Sequence, residues 1–198
     1  MKTFCLFFVF LFFLVQATFS QRLSLGARMG PARAFLVGAS ADPNGSYRWA
    51  YQGGLFADIA LSDNWHLQND FQWARKGYQN DTTRLSMDYA VWSPTLSYLF
   101  SGFEGEALRG RLLGGLYAGQ LLDWRRSVAD YREVFYDQDY GFVWGGGLTW
   151  HWMAYRQSHY FHLDLRGHIG LRRIYPQGAQ VRLIVWQLTL GYALPVIR

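Results

Sequence analysis

Long stretches of this chain repeat with a period of two residues, and only an extended strand sends successive side chains to opposite sides in that way. From Tyr160 to Arg172 the odd positions carry Phe161, Leu163, Leu165, Gly167, Ile169 and Leu171, while the even ones include His162, Asp164, Arg166 and His168. From Tyr140 to Trp152 the even positions are Tyr140, Phe142, Trp144, Gly146, Leu148, Trp150 and Trp152, against Gly141, Val143, Gly145, Gly147, Thr149 and His151. Each stretch has one apolar face and one polar or small face. Beyond residue 20 no apolar run reaches the roughly 18 residues that would mark a membrane-crossing helix.

Read throughout with this period, the chain divides into segments at about 22–30, 49–61, 65–78, 85–100, 106–121, 139–152, 159–171 and 181–194. Most exceed the 5 to 6 residues usual for soluble strands and match the roughly 9 to 11 that a tilted strand needs to cross a bilayer. The connections alternate in length. Pro31 to Arg48, Leu122 to Gln138 and Arg172 to Gln180 are long, whereas Ser62-Asp63-Asn64, Ser101 to Gly105 and Met153 to Ser158 are short, with 79–84 a modest exception. Short turns on one side and long loops on the other are the pattern of outer-membrane barrels, with the short turns in the periplasm. The expected fold is all-β: an eight-stranded, antiparallel, up-and-down transmembrane β-barrel with both termini on the periplasmic side.

Composition points the same way. Aromatic residues make up 19% and charged residues 17%, whereas charged residues alone are about 25% of a soluble domain. Trp49 and Tyr51 open the second segment, Trp65 opens the third, Tyr98 and Phe100 close the fourth, Trp150 and Trp152 close the sixth, and Tyr192 lies near the end of the eighth. Those are the places for two aromatic girdles at the membrane interfaces. A soluble, lipocalin-like periplasmic ligand binder alternates in the same way and is the competing fold.

The first residues have another character. Phe4 to Val15 is an unbroken apolar run behind Lys2 and ahead of Gln16-Ala17-Thr18-Phe19-Ser20-Gln21, which reads as a secretory signal over 1–20, cleaved after Ser20. Residues 21–198 are then a single outer-membrane barrel domain. The one cysteine, Cys5, lies in the signal, so an exported chain without disulfides must be held by burial and backbone pairing. A formal charge of +5 without a concentrated Lys/Arg run does not suggest nucleic-acid binding.

The polar face carries the candidate site. Asp58, Asp70, Arg109, Arg111, Asp164 and Arg166 fall at similar counts from their segment ends and are expected to form one charged layer across the lumen. Buried charges persist only when paired, so the layer reads first as an ion-pair plug, with a proton path, ion path or catalytic cluster as the functional alternative. Gly115, Gly145 and Gly147 share that face and leave room for arginines. Catalysis has weaker support. His159 and His162 point to opposite faces, His162 and His168 are about 20 Å apart along a strand, and neither Ser158 with His159 nor His66 with Asp70 comes with a placeable third partner. No enzyme activity, cofactor or metal is expected. The second candidate is the loop surface of Trp124, Arg125, Arg126, Tyr131, Phe135 and Tyr136, whose mixture of aromatics and arginines suits binding. It reads equally as an extension of the flanking strands above the membrane.

Taken in order, Gly53-Gly54-Leu55-Phe56-Ala57-Asp58, the segment Trp65 to Tyr78, Tyr89 to Tyr98, Phe161 to Leu171 and Leu188-Thr189-Leu190-Gly191-Tyr192 resemble the outer-membrane β-barrel family of Bacteroidetes known as PorT-like or porin-family proteins. The resemblance covers essentially the whole chain after the signal. A monomeric outer-membrane barrel in contact with lipid and lipopolysaccharide, acting as a scaffold, is expected from the segments themselves, and the resemblance adds a role in secretion. The external loops would meet a protein partner, as an accessory to secretion machinery. An outer-membrane enzyme or small-solute channel is the alternative role.

Overall fold

The structure, a computed structural model, describes residues 22–37, 46–79, 84–100, 107–126, 137–154, 157–172 and 182–197, with backbone alone at several strand ends. The signal expected over 1–20 lies outside them. The strands are β1 (Leu23–Val37), β2 (Ser46–Ala60), β3 (Trp65–Gln79), β4 (Arg84–Phe100), β5 (Leu108–Arg126), β6 (Gln138–Ala154), β7 (Gln157–Gly170) and β8 (Arg182–Ile197). Each pairs antiparallel with the next, and β1 pairs with β8 from Leu23↔Ile197 to Val37↔Arg182 to close the barrel. Closure removes the unpaired edges that would otherwise template association. No helix among the described residues is long and apolar enough to cross a membrane.

Alternation decides which side chains face out. Leu163, Leu165 and Ile169 of β7 are exposed while His162, Asp164, Arg166 and His168 between them are buried. The same holds for Leu112 and Leu116 against Arg111, Leu113 and Tyr117 on β5. The core is therefore the lumen, and the outer surface is an apolar sleeve. Aromatics on that sleeve pair across strands at the short-turn end. Trp65 lies 5.0 Å from Tyr98, and Trp150, Phe161 and Tyr192 form a row with ring separations of 5.9 Å and 5.0 Å.

Several strands outrun the alternation that announced them. β1 was expected over about 22–30, yet it continues through Pro31 to Val37. Pro31 keeps its place opposite Tyr51, while the ladder to β8 lapses between Met29↔Leu190 and Ala32↔Gln187. β4 accommodates Pro94 likewise, paired with Asn69 while the ladder to β5 lapses between Trp92↔Ala118 and Thr95↔Gly115. A proline that cannot donate a hydrogen bond interrupts the ladder on one side without ending the strand. β5 runs on to Arg126 after a register shift between Asp88 and Tyr89, where Leu122 is the extra residue, as in a β-bulge.

Candidate functional site: a layered, ion-paired lumen

The lumen is built in three layers. In the middle, Asp70 of β3 and Asp164 and Arg166 of β7 come together with Arg111 of β5. Arg166 donates from Nη1 to Asp70 Oδ2 at 2.9 Å and from Nη2 to Asp164 Oδ2 at 3.0 Å and Gln68 Oε1 at 3.1 Å. Arg111 donates from Nη2 to the same Gln68 oxygen at 2.7 Å and from Nη1 to His162 Nδ1 at 2.9 Å, which makes that ring nitrogen the acceptor. Its Nε is 3.6 Å from Asp164 Oδ1. Burial is nearly complete: Asp70, Asp164 and Arg166 have no accessible surface and Arg111 has 2%.

Arg28 of β1 completes this layer and was not anticipated. Its Nε stands 3.0 Å from Asp70 Oδ1 and its Nη1 3.6 Å from Asp164 Oδ2, close enough for ion pairing though not aligned as hydrogen bonds. Its guanidinium lies 4.3 Å from the centre of the Phe56 ring, a cation–π contact that helps a buried arginine replace its hydration. The signal was available: Arg28 sits on the inward parity of β1, between Gly26 and Gly30. The expected shortness of β1 hid its central depth.

Two of the six charges predicted for one layer lie elsewhere. Asp58 sits nearer the short-turn end, where its Oδ1 is 2.8 Å from His66 Nδ1. Arg109 sits at the mouth and donates from Nη1 to the Asp63 carbonyl at 3.0 Å. The reason is geometric, since residues two apart on one strand face are separated by about 7 Å along the strand. Arg109 and Arg111 therefore cannot share a layer. Asp164 and Arg166 can only because the long arginine folds back along its own strand.

The glycines expected to leave room for arginines instead admit the close approach of the neighbouring strand. A Cβ at Gly147 would run into the Leu163 carbonyl and the Asp164 carboxylate, and one at Gly145 into the Leu165 carbonyl. Larger residues there would displace the β7 backbone that carries the acid.

Toward the long-loop end the lumen turns apolar around a second buried pair that the sequence reading missed. Lys76 Nζ contacts Asp139 Oδ2 at 2.7 Å, and the Tyr117 hydroxyl reaches both Asp139 oxygens at 3.1 Å. The ammonium lies 4.9 Å and 4.8 Å from the Tyr89 and Tyr117 ring centres. Met87, Val91, Leu113 and Val143 pack around these rings, and Ala32, Ala34, Ala50, Leu183 and Val185 fill the opposite wall. Both charged residues are on inward parity, but Lys76 lies late in β3 and Asp139 at the start of β6, the margins where boundary assignment is weakest.

Toward the short-turn end lies a cavity of about 470 Å³ floored by Arg111 and His162, with Arg22, Arg109, Asp58 and His66 among its walls. His159 and His162 point to opposite sides: His159 Nδ1 lies 2.6 Å from the outward Tyr192 hydroxyl, while His162 faces Arg111.

Of the loop candidates, Trp124, Arg125 and Arg126 fall on the last residues of β5, opposite Met87, Ser86 and Leu85. Their side chains, and Tyr131, Phe135 and Tyr136 entirely, lie outside the described residues.

No protein-family model matches the chain, and no curated protein matches it. Solved structures do. Neisserial surface protein A is similar at 12% identity over 87% of this chain and 96% of that one, with a TM-score of 0.57. The outer membrane protein OprG from Pseudomonas aeruginosa is similar at 12% identity over 86% and 95%, with a TM-score of 0.50. The likeness is one of fold: this chain is a closed, eight-stranded, all-antiparallel β-barrel of the architecture found among outer-membrane proteins.

Proposed function

We propose that the protein is an integral outer-membrane barrel whose lumen is sealed, and that it works as a scaffold through its external loops rather than as a pore. The observation that carries this reading is the contrast between the two barrel faces. Exposed leucines, valines and aromatics cover the outside, while two aspartates and three arginines are locked together within. An apolar sleeve of that extent is costly in water and favourable in lipid. Strands of 14 to 19 residues span about 45 to 65 Å along their own axes. Even when tilted they exceed the roughly 30 Å hydrocarbon core. The surplus stands above the membrane at the long-loop end, where a partner would be met.

In this reading the short turns, the start of β1 and the end of β8 face the periplasm, and residues 1–20 are an export signal. The protein is a monomer in contact with lipid and lipopolysaccharide, without enzymatic activity. Kinship with PorT-like barrels and a secretion-accessory role are its more specific form, supported by the ordered sequence segments alone. Orientation is tested by Ser62→Cys, which introduces a lone cysteine into the processed chain because Cys5 lies in the signal. A membrane-impermeant maleimide should label it only after the outer membrane is permeabilised. Labelling in intact cells would reverse the topology. Cross-linking through residues 122–138 in intact cells should recover a defined protein partner, and recovery of none would remove the scaffold role.

A further inference from the structure

The cavity at the short-turn end is chemically unlike the rest of the lumen. Its volume of about 470 Å³ falls within the roughly 300 to 1,000 Å³ of small-molecule sites. Arg22, Arg109 and Arg111 line it together with His66, His151 and Tyr160, against the carboxylates of Asp58 and Asp63. Three arginines against two carboxylates leave this lining with a net positive charge. Asp58 is occupied by His66 at 2.8 Å, and Arg109 takes the backbone carbonyl of Asp63 instead of its carboxylate. Among the described residues Arg22 has no carboxylate within ion-pair distance, and Arg109 has donors left beyond the one bound to Asp63. His151, stacked on Tyr160 at 5.0 Å, holds a buried Nε2 with no partner.

The floor is closed. Arg111 is pinned by His162 and Gln68, and beyond it the layer of Arg28, Asp70, Asp164 and Arg166 fills the lumen. A solute that enters from this end can bind but cannot pass. We propose that the cavity is a binding site for a small organic oxyanion, a phosphate ester or a carboxylate, held by Arg109 and Arg22 over the fixed positive floor of Arg111. Paired guanidinium groups present the forked donors that such oxygens accept. The site rests on the periplasmic orientation proposed above only for where its ligand comes from, not for whether it binds.

The test uses the full barrel, without its signal, refolded in an uncharged detergent at low salt, titrated separately with glycerol 3-phosphate and with succinate by calorimetry. One or both should bind. Arg109→Gln and Arg22→Gln should each weaken that binding by about tenfold or more, as expected for losing a charge-assisted pair. Arg109→Lys should recover part of it. Arg75→Gln, at the opposite end and bound to Asp88 at 2.7 Å, should leave binding within about twofold, because Arg75 does not line the cavity and its charge is already paired with Asp88. Ala60→Trp keeps every charge and fills the cavity, so it should abolish binding even if an arginine variant fails to fold. The ligand that binds identifies the source, phosphate ester or carboxylate. If neither binds to the folded barrel, or if binding survives both Ala60→Trp and Arg109→Gln, the assignment is overturned. Labelling of Ser62→Cys reports orientation independently, so failure of the site and failure of the topology are told apart.

Discussion

Asp164 is the residue on which the lumen depends most, because it faces Arg28, Arg111 and Arg166 at 3.6, 3.6 and 3.0 Å. Removing one member of a buried ion pair leaves the others desolvated and unpaired. Asp164→Ala is therefore expected to destabilise the folded barrel by about 3 to 5 kcal/mol, measured by urea titration of the refolded protein. A negligible change would mean that the cluster is hydrated rather than dry. Lys76→Met tests the upper pair separately: it strands Asp139 beside Tyr117 and should cost a comparable amount, about 3 to 5 kcal/mol. The Lys76→Met, Asp139→Leu double variant should recover much of the loss, since an apolar replacement of a whole buried pair is often neutral. A double variant no better than the single one would contradict this.

Strands were legible because alternation states their existence and facing directly, and β6 and β7 could be read residue by residue. Their ends were less so. Pro31 looks like a terminator in sequence, and only the pairing with both neighbours reveals that the β2 ladder holds while the β8 ladder lapses. The central site was legible for Asp70, Arg111, Asp164 and Arg166, whose depth follows from counting along strands. It failed for Asp58 and Arg109, because counting was too coarse to resolve a step of two residues along a strand, and for Arg28, because β1 was cut short. The outward face of β7 supplies the test at this scale. Leu165, 52% exposed and flanked by Gly146 and Leu188, should not tolerate a charge: Leu165→Arg is expected to impair insertion by about 2 to 4 kcal/mol. Assembly of that variant into membranes at the normal level would mean that this face does not meet lipid.

At the scale of the whole molecule, a sleeve of apolar side chains surrounds a lumen that is ion-paired in the middle, apolar above and open below. Eight strands leave an interior just wide enough for side chains to fill, and Arg28, Arg111 and Arg166 fill it. Planar-bilayer recordings on the purified protein should accordingly show no steady conductance, and a stable channel would show that the cluster yields. The claim beneath all of these is that the apolar sleeve sits in a membrane. Membrane fractionation followed by gel electrophoresis of unboiled and boiled samples tests it most directly. The protein should pellet with the outer membrane and change mobility on boiling, as a closed barrel resists detergent until heated. A soluble periplasmic protein with one mobility under both conditions would contradict the account.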